Sequence, residues 1–144
     1  MSESDPGRDS EGAGCKLVEL DRFDDARGVL AVAEVGGALP FVARRFFVIS
    51  GVPEGGVRGG HGHRSVDELL VAVCGRVEVE LFASGRTRTV VLDRATLGLH
   101  LTPRVWSAQR YFDDAVLLVL ASGEHDAAGY LTTPEALTGD VGDD

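Results

Sequence analysis

Only two cysteines occur in the 144 residues, Cys15 and Cys74. That is too few for the disulfide framework that holds small secreted domains together, and it points to a reducing compartment, the cytoplasm. Cys74, inside the apolar run LLVAVC, is expected to be a small core residue, whereas Cys15 sits beside a start of disordered character. Long apolar runs are also missing. None approaches the ~18 residues that a membrane span needs. The opening MSESDPGRDSEGAG lacks the basic and apolar parts of a signal peptide, so membrane residence and secretion are not expected.

Positive charge is scarce as well. The formal net charge is -9, and four acids against one base in residues 1–14, with three acids in TGDVGDD, account for six of those nine charges. Both Gly/Ser/Asp-rich ends, 1–14 and 138–144, have the composition of disordered tails. The body between them, residues 15–137, then carries only the remaining -3. Such a body has no basic field for nucleic acid, and an anionic ligand would need local arginines.

Helical periodicity is not sustained over three turns anywhere, and there is no internal repeat or linker. What is present is a series of short strand-like runs: GVLAVAEV, RRFFVIS, LLVAVC, VEVEL, TRTVVLD and AVLLVLAS. In VEVEL, Val77, Val79 and Leu81 alternate with Glu78 and Glu80, the pattern of a strand with one buried face. The punctuation GVPEGG, GR, ASGR and TPRV separates the runs as hairpin turns would. Six to nine strands predict an all-β sandwich or small barrel of one domain. One helical turn is predicted near TTPEAL, with Thr133 as cap and Pro134 at the first helical position.

The stretch GGVRGGHGHRSVDELL concentrates two of the four histidines. On a strand His61 and His63 share a face, and Gly59, Gly60 and Gly62 leave room for a ligand or another backbone to approach. A lone strand histidine is ordinarily a surface or hydrogen-bonded residue, but packing alone gives no reason for the glycines. Arg58 lies three residues before the pair, so strict alternation would turn it to the opposite face. A bend at Gly59 and Gly60 is needed to bring it to the same side.

The spacing of Gly55, His61, His63, Glu68 and Gly75 resembles the first signature of the cupins. That resemblance implies a double-stranded β-helix, or jelly-roll barrel, with the histidines pointing inward. Metal-binding cupins use both histidines and the glutamate as ligands, with a third histidine from a second motif. Here that motif reads PRVWSAQ, with Val105 in the glycine position and Ala108 where the histidine belongs. A metal site built from His61, His63 and Glu68 therefore stands as one alternative.

From Leu17 to Leu137 the chain also resembles the nucleotide-sugar 3,4-ketoisomerases, the WxcM-like branch of the cupins. The resemblance rests on DDARGVLAVAE, LPFVARRFFVI, VPEGGVRGGHGH, LTPRVW and AVLLVLAS, followed by Tyr130. It implies a homodimeric isomerase without metal or other cofactor. Such an enzyme converts dTDP-linked 4-keto-6-deoxyhexoses to 3-keto sugars through an enediol, in deoxysugar biosynthesis for antibiotics or surface glycans. It further implies His61 and His63 as proton carriers, and Arg27, Arg58, Phe47, Trp106 and Tyr111 as substrate-binding residues.

The N-terminal strand near Val29 to Val35 is expected to cross to a partner subunit. Several residues depart from the family's pattern. Phe47 replaces a tyrosine, whose hydroxyl Tyr111 is the candidate to supply, and Ser107 stands where histidine is usual. Gly60 and Gly62 replace larger residues, which implies a roomier pocket. Glu68 replaces a common glutamine, and its charge is expected to raise the pKa of a neighbouring histidine. A ligand-binding cupin without turnover is the third reading, favoured by the missing tyrosine.

Overall fold

In the computed structural model of the chain, which describes residues 15–124 and 130–131, those residues form ten strands and no helix. In chain order they are β1 (Cys15–Glu19), β2 (Asp21–Asp25), β3 (Gly28–Val32), β4 (Arg45–Ile49), β5 (Val57–His63), β6 (Glu68–Ala83), β7 (Arg86–Leu92), β8 (Leu97–Leu101), β9 (Trp106–Ala121) and β10 (Tyr130–Leu131). Both tails expected from the sequence, and the helical turn at Thr133 and Pro134, lie outside the described residues.

Two strands of 16 residues, β6 and β9, organise the rest by pairing antiparallel from Glu68 with Ala121 to Phe82 with Trp106. Residues 68–71 and 117–121 of this pair are flanked by β8 and β1 on one side and β4 on the other. Residues 77–83 and 107–110 are flanked by β7 on one side and by β5 and β10 on the other. The result is a jelly roll of two layers around one core. Leu70, Leu99 and Leu117 from the first layer pack in one cluster with Val79, Leu81, Leu92 and Tyr111 from the second. The layers do not close into a barrel, because β4 and β5 each pair with β9 and not with each other.

The alternation in VEVEL is realised: Val77, Val79 and Leu81 are fully buried, while Glu78 and Glu80 lie on the other face. Each such side chain contributes about 1.5–3 kcal/mol by leaving water. Two details differ from the sequence expectation. Gly75-Arg76 is not a turn between two strands but a bend inside β6, where the register with β9 shifts between Ala72 and Arg76. That shift changes which residues face inward, from Leu70 and Ala72 before it to Val77 and Val79 after it. Cys74 falls inside it and is exposed, so it is not a core residue. Cys15, by contrast, is buried in β1 opposite Leu101, and burial pushes its thiol up to about 11.

A smaller apolar cluster lies on the outer face of the first layer, where Leu69 and Val71 meet Leu39, Phe41 and Leu120. Beside it, β2 and β3 pair only with each other among the described residues. The strand expected over Val29 to Val35 is shorter than expected, ending at Val32, and Val35 makes only an isolated bridge to Leu39.

Candidate active site

A cleft of about 280 Å³ opens between β4 and β5, lined by Phe47 and Ile49 on one side and by Arg58, Gly59 and His61 on the other. Glu68, Ser107 and Gln109 lie deeper in it. The way β5 reaches this cleft depends on one extra residue. Arg58 pairs with Gln109, Gly59 with Ala108 and His61 with Ser107, so Gly60 has no partner on β9 and forms a bulge. Directly paired residues of antiparallel strands share a face. The bulge therefore brings Arg58 and His61, three apart in sequence, to the same side, which is the bend their joint use requires. Gly59 and Gly60 adopt φ of 91° and 81° there, a region that glycine occupies without strain.

His61 and His63 meet edge to face, with ring centroids 5.4 Å apart. His63 is buried behind His61, and its Nε2 lies 3.1 Å from Glu68 Oε2, a contact that joins β5 of one layer to β6 of the other. Burial and the neighbouring His63 hold the His61 pKa below the ordinary histidine value, against the opposing pull of Glu68 and of a hydrogen bond to the Gly59 backbone. The expectation that Glu68 would raise the pKa is thus reversed at His61: the glutamate's effect is present but smaller than the cost of burying a charged ring. A lowered pKa favours the neutral imidazole, the form able to accept a proton.

Three other residues singled out from sequence are placed elsewhere. Arg27 lies at the exposed turn between β2 and β3, ion-paired with Asp25, and lines a separate groove with Phe23 and Leu30. Trp106 pairs with Phe82 on the face opposite the buried Ser107, so it does not line the cleft. Tyr111 points inward but is only 1% exposed and packs in the core below the cleft. Burial pushes its hydroxyl up to about 12, with the Arg58 charge acting in the other direction. It does not replace the hydroxyl that Phe47 lacks. The Phe47 ring, which lines the cleft, carries the Arg45 guanidinium at 5.2 Å from its centroid.

Glu68, His61 and His63 were also weighed as metal ligands. Among the described residues, no group of three or more His, Cys, Asp or Glu side chains is arranged to hold a metal ion.

Gln109 is the cleft residue that the sequence reading missed. Its signal was the alternation of Ser107, Gln109 and Tyr111, all three of which are buried along β9. That stretch was read as a degraded metal motif, which drew attention to the position of the absent histidine at Ala108 and away from the strand's inward face.

Comparison with known proteins places this geometry among sugar-nucleotide enzymes. A curated relative, the TDP-4-oxo-6-deoxy-alpha-D-glucose-3,4-oxoisomerase of Aneurinibacillus thermoaerophilus, is 30% identical over 117 residues, which cover 81% of this chain and 84% of that protein. The crystal structure of a 3,4-ketoisomerase from Helicobacter canadensis superposes with a TM-score of 0.84 at 27% identity, covering 90% of this chain and 98% of the other. A histidine-to-asparagine variant of the 3,4-ketoisomerase QdtA from Thermoanaerobacterium thermosaccharolyticum, solved in complex with TDP-4-keto-6-deoxyglucose, gives a TM-score of 0.81 at 26% identity, covering 88% and 93%. The family model described as FdtA: WxcM-like, C-terminal matches residues 13–138, nearly the whole chain, and the chain belongs to that family.

Proposed function

We propose that this chain is a 3,4-ketoisomerase acting on a dTDP-linked 4-keto-6-deoxyhexose, a step in deoxysugar assembly for an antibiotic or surface glycan. The observation that carries the proposal is the placement of His61 beside Arg58 in a cleft of about 280 Å³. A cleft of that size suits the hexose rather than the whole nucleotide, which would lie across the open mouth where Arg58 can meet phosphate oxygens. A C–H beside a ketone is acidic enough for a positioned imidazole to remove. His61 takes the proton from C3, the electron pair forms the C3–C4 double bond, and the C4 oxygen gains a proton. Return of a proton to C4 and loss of the one on the C3 oxygen complete the isomerisation. No electrons are exchanged with a cofactor, so none is assigned. His63, edge to face with His61, packs against that ring and disfavours its protonation.

The test is incubation of the protein with a dTDP-4-keto-6-deoxyhexose in D₂O. Deuterium at ring carbon, with appearance of the 3-keto sugar, is the expected outcome. Binding of the sugar nucleotide with no exchange would instead favour the ligand-binding cupin that Phe47 suggests, and exchange abolished by a chelator would favour the metal reading.

A homodimer is part of the same proposal. An isolated two-stranded ribbon is marginal in water, yet among the described residues β2 and β3 pair only with each other and expose Phe23, Val29 and Leu30. The first layer's outer face also exposes Phe46, Val48 and Val73. Between ribbon and layer runs a largely apolar groove of about 550 Å³. A second copy covering these surfaces removes both liabilities. It also offers Arg27 a neighbour other than its own subunit's cleft. Light scattering at micromolar concentration should give a mass near twice the 15.2 kDa of the chain; the monomer mass would count against the dimer. We place the protein in the cytoplasm because two cysteines are too few for a disulfide framework.

A further inference from the structure

Within the cleft, one polar side chain stands apart from the proton-carrying machinery. Gln109 is buried, lies directly across from Arg58 on β9, and lines the same cavity as His61. Its Nε2 donates to Ser107 Oγ at 3.1 Å. A primary amide has two donor hydrogens and an acceptor oxygen with two lone pairs. Among the described residues that single bond is all the Gln109 amide makes, so a second N–H and the carbonyl oxygen remain for something in the cleft. Because Gln109 lines the cleft, a molecule bound there can meet these groups directly.

The backbone opposite is shaped around this amide. A Cβ on Gly59 would lie 2.8 Å from Gln109 Oε1 and 3.0 Å from Nε2, so a side chain there would require the amide to move from its present place. Gly59 thus lets the amide lie close against β5, two residues before His61. Ser107, directly across from His61, holds the amide from the other side.

We infer that Gln109 is the residue that grips the vicinal oxygens of the reacting sugar, its N–H donating to the oxygen that carries the developing enolate charge and its carbonyl accepting from the neighbouring hydroxyl. This rests on the isomerase reading above. An α-hydroxyketone presents one acceptor and one donor on adjacent carbons, and after isomerisation the two have exchanged places. An amide carries a donor and an acceptor side by side, so it complements either isomer and the enediol between them. It does not titrate near neutrality, so it does not compete with His61 for the proton. Phe47, across the cleft, has no hydroxyl for the task.

Two variants of nearly the same size test this. Gln109→Leu removes every polar atom, and Gln109→Glu keeps the acceptor but replaces the donor with a negative charge. With a dTDP-4-keto-6-deoxyhexose as substrate, Gln109→Leu should lower kcat by about 10²–10³-fold, the usual cost of losing a donor to a developing oxyanion, and change KM by less than threefold. Gln109→Glu should be slower still, since the carboxylate repels the enolate. The affinity for TDP alone, which has no sugar to grip, should stay within twofold in both, and the melting temperature should be retained.

A Gln109→Glu variant as active as wild type would mean that Gln109 only fills space over Gly59, and the inference would be wrong. So would a Gln109→Leu variant within threefold of wild type, although the isomerase reading would stand. Equal loss of TDP binding or of the folded state in both variants would assign Gln109 to the scaffold and overturn the inference too. Absence of isomerisation in the wild type would remove both readings together, and TDP binding without turnover would identify that outcome.

Discussion

His61→Asn should lower the rate of isomerisation by about 10²–10⁴-fold, the usual worth of a positioned general base, while TDP binding is kept. Asparagine retains a polar side chain of similar reach but has no titrating ring. The cost therefore falls on turnover. His63→Asn should cost less, because His63 is buried behind His61 and does not line the cleft. Its effect should appear instead in the pH profile. In the wild type the acid limb of kcat, set by protonation of the base, should lie below the ordinary histidine value, since burial and His63 both depress the His61 pKa. Activity is present above that pKa and is lost as pH falls through it. Replacing His63 should move the limb to higher pH, since His63 is one of the two groups that depress the His61 pKa. A His61→Asn enzyme that isomerises at the wild-type rate, or a His63→Asn enzyme with an unmoved acid limb, would falsify the assignment of base and neighbour.

Gly75→Ala should destabilise the fold by about 3 kcal/mol or more. Gly75 holds φ at 70°, and a Cβ there would lie 2.6 Å from the Ala115 Cα and 2.7 Å from the Asp113 carbonyl oxygen. The left-handed conformation costs an ordinary residue about 1–2 kcal/mol. Forcing a methyl against backbone that cannot rotate away adds roughly 1–3 kcal/mol more. For a domain of this size the sum corresponds to a fall in melting temperature of roughly 10 °C. The bend matters beyond its own contacts, because β6 and β9 turn together here, with Asp113 and Asp114 also at positive φ of 63° and 54°. It is the hinge that lets one pair of long strands serve both layers. A thermal melt of Gly75→Ala within 2 °C of wild type, by circular dichroism, would show that the bend tolerates a side chain and that this account of it is mistaken.

How much was legible beforehand can be judged from particular residues. The alternation of Val77, Val79 and Leu81 with Glu78 and Glu80 was readable because side-chain direction along an unbroken strand depends only on neighbours in the chain. The shared cleft of Arg58 and His61 was readable only as a condition, namely that a bend must lie between them. Whether Gly59 and Gly60 supply it depends on how β5 pairs with β9, some 50 residues further on. Cys74 was misread for the same kind of reason, since the shift between Ala72 and Arg76 changes the inward parity where the local pattern looks continuous. Arg27 and Trp106 were carried over from the family resemblance, and within a single chain neither reaches the cleft.

Sequence by itself determined the all-β class, the phase of the unbroken strands, and the family, whose spacing of Gly55, His61, His63, Glu68 and Gly75 is a one-dimensional quantity. The tertiary structure alone decided that Glu68 meets His63 at 3.1 Å from the opposite layer, and that burial outweighs the glutamate's pull on His61. It also decided that Gln109, rather than Tyr111 or Trp106, faces the cleft. The physical reason is that desolvation and cross-layer contact are set by which strands lie against each other, and that is fixed by pairing and bulges between segments distant in the chain.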